Sequence, residues 1–86
     1  MIVRFREKAM IAFESMNRND QAKVRRAVEL LKNDDLKPLN PNRIKNVRLD
    51  VWVARINNNI RLLFNKSKSE ILIVDIVDHR KEVKHD

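Results

Sequence analysis

Arg55 and Arg61 stand on either side of three asparagines in the segment Val51-Trp52-Val53-Ala54-Arg55-Ile56-Asn57-Asn58-Asn59-Ile60-Arg61-Leu62-Leu63-Phe64. The chain has no glycine, so its tight turns fall to Asn and Asp, which tolerate positive φ best after glycine. A three-residue loop at 57–59 pairs Ile56 with Ile60, Ala54 with Leu62 and Trp52 with Phe64, and every apolar residue then meets an apolar partner. A two-residue loop would oppose Arg55 to Ile60 and Ala54 to Arg61, which mixes the faces. The favoured register sets Arg55 directly against Arg61. Like charges facing each other in a sheet are destabilising by roughly 0.2–1 kcal/mol, and two guanidiniums held at that cost point to an anion. Phosphate suits them, because planar forked donors grip its oxygens bidentately. Asp75 offers a rival account, in which the following strand sets its carboxylate beside Arg61 and neutralises the pair. The residues alone leave both open.

His79 and Arg80 follow the aliphatic run Ile71-Leu72-Ile73-Val74-Asp75-Ile76-Val77. A strand over that run, antiparallel to residues 60–65, ends beside the asparagine turn and brings His79 and Arg80 towards Arg55 and Arg61. An imidazole moves protons near neutral pH, and guanidiniums stabilise charge on a phosphoryl group. Such a set suffices for RNA cleavage without a metal. A base takes the proton of the 2'-OH, cations hold the pentacovalent phosphorane, and an acid protonates the leaving 5'-oxygen. Lys45 and Arg48, just ahead of the hairpin, are candidates for contacts to an RNA backbone, with solvated charge as the equal alternative. Trp52 shares the parity of Ala54, Ile56 and Phe64, so core packing is expected of it rather than base stacking.

These residues need elements to position them. Residues 2–5 read as an edge strand. Phe5, Ala9, Phe13 and Met16 recur with the spacing of one helical face, and that helix is expected to stop near Asn17. Asn19 or Asp20 then caps a second helix with Val24, Ala27, Val28 and Leu31 on its buried stripe. So short a connection makes the two an antiparallel αα-hairpin. Its outer residues Lys23, Arg25, Arg26 and Glu29 read as a mainly solvated surface. Pro38 and Pro41 prevent the second helix from continuing, and Asn40, Asn42, Arg43 and Lys45 are expected in an exposed basic loop. From Val47 the pattern turns to period two, and a strand running to Ile56 is apolar enough on both sides to be central. The order is βααβββ in an α+β fold: an N-terminal strand, a helical hairpin on one face of the sheet, and a three-stranded antiparallel meander. The opposite face is left for a ligand.

Composition bounds the function. Residues 1–86 are read as a single domain; a chain of this length buries only about 60–65% of its unfolded surface, so a site must lie on the sheet or in a shallow groove. Nineteen Lys and Arg against twelve Asp and Glu give a net charge of +7, which favours an anionic partner, nucleic acid foremost. With charged residues at 36% of the chain, many of them simply solvate the fold. The absence of cysteine removes thiolate metal sites and Cys nucleophiles. His79 and His85 do not make an ordinary zinc site by themselves, so no metal or cofactor is expected. There is no apolar leader and no long apolar run, which makes a cytoplasmic protein without membrane contact the expectation.

The helical hairpin, the segment Val51-Trp52-Val53-Ala54-Arg55-Ile56 with Ile60-Arg61-Leu62-Leu63-Phe64, and the closing Val77-Asp78-His79-Arg80-Lys81-Glu82-Val83 together resemble the RelE/ParE superfamily of toxins from type II toxin-antitoxin systems. The resemblance spans nearly the whole chain through short, degenerate motifs. It implies that Arg61 and Arg80 match arginines used for phosphate handling in RNA-cleaving members, and that His79 lies where some relatives place a catalytic histidine. It also implies a ribosome-associated mRNA endonuclease that inhibits translation, leaves a 2',3'-cyclic phosphate and is neutralised by a cognate antitoxin. The site set is then His79, Arg61, Arg80 and Arg55, with Lys45, Arg48 and Lys84 on RNA. This chain departs from the pattern in lacking any tyrosine. Lys84 stands at the tail tyrosine, and Trp52 and Ala54 fall roughly where RelE-type members carry lysines. Proton transfer would rest on His79, assisted by Asp78, Glu82 or Lys84. The superfamily also contains ParE-like inhibitors of DNA gyrase that cleave nothing, which is the alternative. On the nuclease reading, replacing Arg61 or Arg80 by Ala abolishes cleavage and leaves the fold intact.

Overall fold

A computed structural model describes residues 1–46 and 49–81. The chain runs β1 (Ile2–Phe5), α1 (Glu7–Glu14), α2 (Arg18–Lys32), β2 (Asn42–Lys45), β3 (Asp50–Arg55), β4 (Ile60–Lys66) and β5 (Glu70–Asp78), with short 3-10 turns at Lys37–Leu39 and His79–Lys81. The five strands form one sheet in the order β1-β5-β4-β3-β2. β1 lies parallel to β5, and the other neighbours are antiparallel. This is the expected α+β architecture with one strand added.

The added strand is β2, in the stretch read as a basic loop. All four of its residues are exposed, so neither face carries the apolar alternation by which a strand is recognised in sequence. A short charged strand at the margin also discourages pairing with other chains. The strand expected from Val47 begins at Asp50. The Leu49 N–H donates to Asn46 Oδ1 at 2.8 Å and the Asn46 N–H to the Leu49 carbonyl at 2.7 Å, bending the chain between β2 and β3. Val47 and Arg48 lie outside the described residues.

Alternation along the central strands sets the two faces. Ala54, Ile60, Leu62, Phe64, Ile71 and Ile73 are fully buried and meet Ala9, Val24, Ala27 and Leu31 of the helices. Trp52 and Ile56 pack against this core, as their parity requires. The register shifts between Leu63 and Phe64, which face Asp75 and Ile73 respectively. The extra residue is Val74, and this bulge lets both Ile73 and Ile76 turn inward despite their spacing. Phe5, expected on the first helix, ends β1 instead; its ring still lies 6.1 Å from that of Phe13.

α2 starts earlier than expected. Its N-cap is Asn17, whose side chain accepts from the Asp20 N–H at 2.8 Å. That geometry joins the cap to the residue three positions on. Asp20 is thereby placed in the first turn, with its carboxylate free for another task. Positive φ occurs at Asp34 and Asn40 among the described residues, the residue types expected to supply it.

Candidate nucleic-acid interface

The β3–β4 register is the one the apolar pairing requires: Arg55 faces Arg61, Ala54 faces Leu62 and Trp52 faces Phe64. The turn between them closes without positive φ. Asn57 Oδ1 accepts from the Asn59 and Ile60 N–H groups at 2.8 and 2.9 Å, an Asx turn that does with a side chain what glycine would do with backbone freedom. The Ile56 N–H donates to the Ile60 carbonyl at 2.9 Å and completes the closure.

Both guanidiniums fold back over this turn. Arg55 donates to Asn58 Oδ1 at 2.7 Å, and Arg61 donates to the Asn57 carbonyl at 3.0 Å. These acceptors are neutral. They orient the two cations without cancelling their charge, and they sit on the sheet face opposite the helices, where Arg55 is exposed and Arg61 half-buried. Asp75 does not neutralise them. It faces Leu63 while Val77 faces Arg61, and its carboxylate accepts from Lys8 at 3.3 Å and from its neighbour's backbone N–H, Ile76, at 2.8 Å. The bulge at Val74 fixes this register.

The end of β5 arrives where strand order demands. Asp78 pairs with Ile60, and the His79 N–H donates to the Asn59 carbonyl at 2.8 Å. An exposed His79 is thus tied by its backbone to the turn that carries both arginines. Arg80 has a different environment. Its Nε and Nη2 grip Asp78 at 3.0 and 2.9 Å, and Nη2 also reaches Asp20 at 2.6 Å. The Asp20 and Asp78 side chains are both only 6% exposed. The Arg80 guanidinium holds the Asp78 carboxyl below its ordinary range, and the two carboxylates in turn push Arg80 further up, Asp78 more than Asp20. Arg80 is therefore committed to carboxylates on the helix side and does not join Arg55 and Arg61. It anchors the 79–81 turn to the start of α2. Lys81 adds to the anchor with Nζ 3.3 Å from Ser15 Oγ.

The remaining candidates disperse. Lys45 faces Asp50 at the start of β3, and five residues of strand separate it from Arg55, about 17 Å at strand rise. Its neighbour Arg43 is salt-bridged to Asp50 at 3.0 Å and lies 5.7 Å from the centre of the Trp52 ring. Arg48, Lys84 and Glu82 lie outside the described residues. Trp52 and Ala54, set against the lysines of RelE-type members, face the helices, with Ala54 fully buried. Among β3 residues Arg55 is the basic residue on the open face.

Two cations were read from sequence as solvent-facing and are not merely that. Lys23 and Arg26 of α2 line a groove with Arg55 and Asn57. Their spacing of three residues puts them side by side on the helix, and that was the only legible sign. Which element packs opposite them is decided by the tertiary fold. Among the described residues no helix is long and apolar enough to cross a membrane.

No family model and no curated protein matches the sequence. Solved structures do match. YafQ from E. coli strain BL21(DE3) superposes with a TM-score of 0.76 at 10% identity, covering 91% of this chain and 92% of that one. A chain of the archaeal RelE-RelB complex from Pyrococcus horikoshii OT3 gives 0.72 at 14% identity, covering 94% and 97%. The YoeB/ParE toxin from Agrobacterium tumefaciens gives 0.66 at 19% identity, covering 92% and 99%. The chain has the fold of the RelE/ParE superfamily toxins.

Proposed function

We propose that this chain is the toxin of a type II toxin-antitoxin system and acts as a metal-independent, ribosome-associated mRNA endonuclease in the cytoplasm, restrained by a cognate antitoxin. The observation that carries the reading is the Arg55–Arg61 pair, held face to face by neutral acceptors with His79 fastened to the same turn. The fold shared with YafQ and the RelE-RelB complex supports it.

In the proposed reaction the scissile phosphate lies between the two guanidiniums. His79 takes the proton of the 2'-OH, whose oxygen attacks phosphorus as the bond to the 5'-oxygen breaks, leaving a 2',3'-cyclic phosphate. Arg55 and Arg61 bear the charge that builds on the non-bridging oxygens, a stabilisation whose removal typically costs about 10²–10³ in rate. Asp78 is held ionised by Arg80 and is no acid at neutral pH, so the 5'-oxygen takes its proton from solvent. Arg80 serves as a positioning residue, fixing the turn that presents His79.

A second reading, the gyrase-binding alternative that the sequence resemblance implies, cleaves no RNA, and a YoeB/ParE toxin is among the structures that superpose. Induction in cells, with mRNA 5' ends mapped alongside plasmid topology, separates the two. New 5' ends with unchanged supercoiling are expected; relaxed or linearised plasmid without new 5' ends overturns the nuclease reading.

A further inference from the structure

Between α2 and the β3–β4 turn lies a groove of about 280 Å³, with Lys23 and Arg26 on one wall and Arg55 on the other. All three cations are exposed, and no carboxylate lines the groove. Glu29, the nearest acid further along α2, is engaged by Lys32 at 3.9 Å. The floor is apolar, including Leu30, Pro38 and Ile56. Arg55 lines this groove and also faces Arg61, so the two regions share one residue.

We propose that the groove is a second RNA subsite. A single strand with one phosphate between Arg55 and Arg61 continues past Arg55, and Lys23 and Arg26 hold the following backbone phosphates. Ribose and base edges rest on Leu30, Pro38 and Ile56. The inference rests on the RNA reading above and extends it, from one phosphate to a strand with a direction of travel around the end of β3. Continuity favours a nucleic acid: successive anionic groups on one strand would share Arg55 in the way the two regions do. The groove lining holds no aromatic ring on which a base could stack, so the subsite reads charge and is indifferent to sequence.

The test compares a trinucleotide with a twelve-nucleotide RNA, both made uncleavable by a 2'-deoxy sugar at the scissile position, binding to the full chain. The Lys23→Ala/Arg26→Ala double variant should bind the trinucleotide as wild type does and the longer RNA roughly tenfold more weakly. Its salt slope for the longer RNA should be shallower by about 1.4, two phosphate contacts at ~0.7 each on a single strand. Both residues are exposed, so folding is not at issue. Unchanged binding and slope for the longer RNA overturn the inference, while loss of trinucleotide binding in Arg61→Ala leaves the arginine-pair reading standing. If Arg61→Ala binds the trinucleotide as wild type does, that reading fails and the inference fails with it. A twelve-residue polyglutamate that binds more tightly than the RNA, with the same dependence on Lys23 and Arg26, makes the groove a protein-docking surface and also overturns the proposal.

Discussion

Arg61 and Arg80 both match phosphate-handling arginines in the sequence resemblance, yet the fold treats them oppositely. Arg61 donates to backbone carbonyls of its own turn, whereas Arg80 sits between two nearly buried carboxylates. Neutral acceptors hold a guanidinium in place and leave its charge to act on whatever approaches. Carboxylates hold it as firmly and cancel that charge. A cation's identity and position in the chain therefore do not define an anion site; the charge of its nearest acceptors does. On this criterion Arg55 falls with Arg61, since its partner is the Asn58 amide.

If the contrast is functional, Arg61→Ala gives the largest effect. Cleavage of ribosome-bound mRNA should fall by about 10²–10³ while stability drops by no more than about 1 kcal/mol, the loss of hydrogen bonds to two carbonyls at a half-buried position. A larger loss of stability would erase the distinction. Arg80→Ala should do the reverse, because it leaves the Asp20 carboxylate nearly buried with its charge partner gone. The expected penalty is about 1–3 kcal/mol, read as a lowered urea midpoint, with the folded fraction losing far less of its cleavage rate than Arg61→Ala does, because only the positioning of His79 is loosened. Asp20→Ala should weaken the same anchor and lower the rate by a similarly small factor.

Asn17→Ala tests the anchor one step further back. Loss of the cap should cost about 1 kcal/mol and loosen the first turn of α2 that presents Asp20, leaving Arg55 and Arg61 untouched. Hydrogen exchange at the start of α2 and at residues 79–81 should rise together; a rise in α2 alone would separate the two segments. The smallest effect is on pH. Asp78 titrates below its ordinary 3.8 in the folded chain, so its contribution is complete above that value and fades as pH falls through the lower folded one. In Asp78→Asn this component of acid destabilisation should disappear from urea midpoints followed into the acid range, and a Asp78→Asn curve parallel to wild type would contradict it.

How far the sequence discloses these regions differs for physical reasons. The Arg55–Arg61 facing was legible because each apolar residue of that hairpin had one compatible partner, and a slip of one residue would have exposed them all. The arrival of His79 at the turn followed from antiparallel order alone. The Asp20–Arg80 contact joins residues separated by 60 positions, and nothing in local spacing says which of twelve acids an arginine will find. For Arg61 the expected neutralising partner was Asp75, and a single bulged residue, Val74, sets Asp75 opposite Leu63 instead. β2 gave no apolar period because it buries neither face. Lys23 and Arg26 looked like any solvated helical surface until the end of β3 was placed across from them.

The account's central claim is that charge at the asparagine turn is available to a phosphate and charge at Arg80 is not. Its most direct test is the salt dependence of binding to the uncleavable trinucleotide, at a temperature where every variant is folded by circular dichroism. For Arg55→Gln/Arg61→Gln the slope of log affinity against log salt should become shallower by about 0.7, the value for one phosphate no longer neutralised on a single strand, and for Arg80→Gln it should not change. An Arg80→Gln slope that drops as far, or an Arg55→Gln/Arg61→Gln slope that does not move, would contradict it.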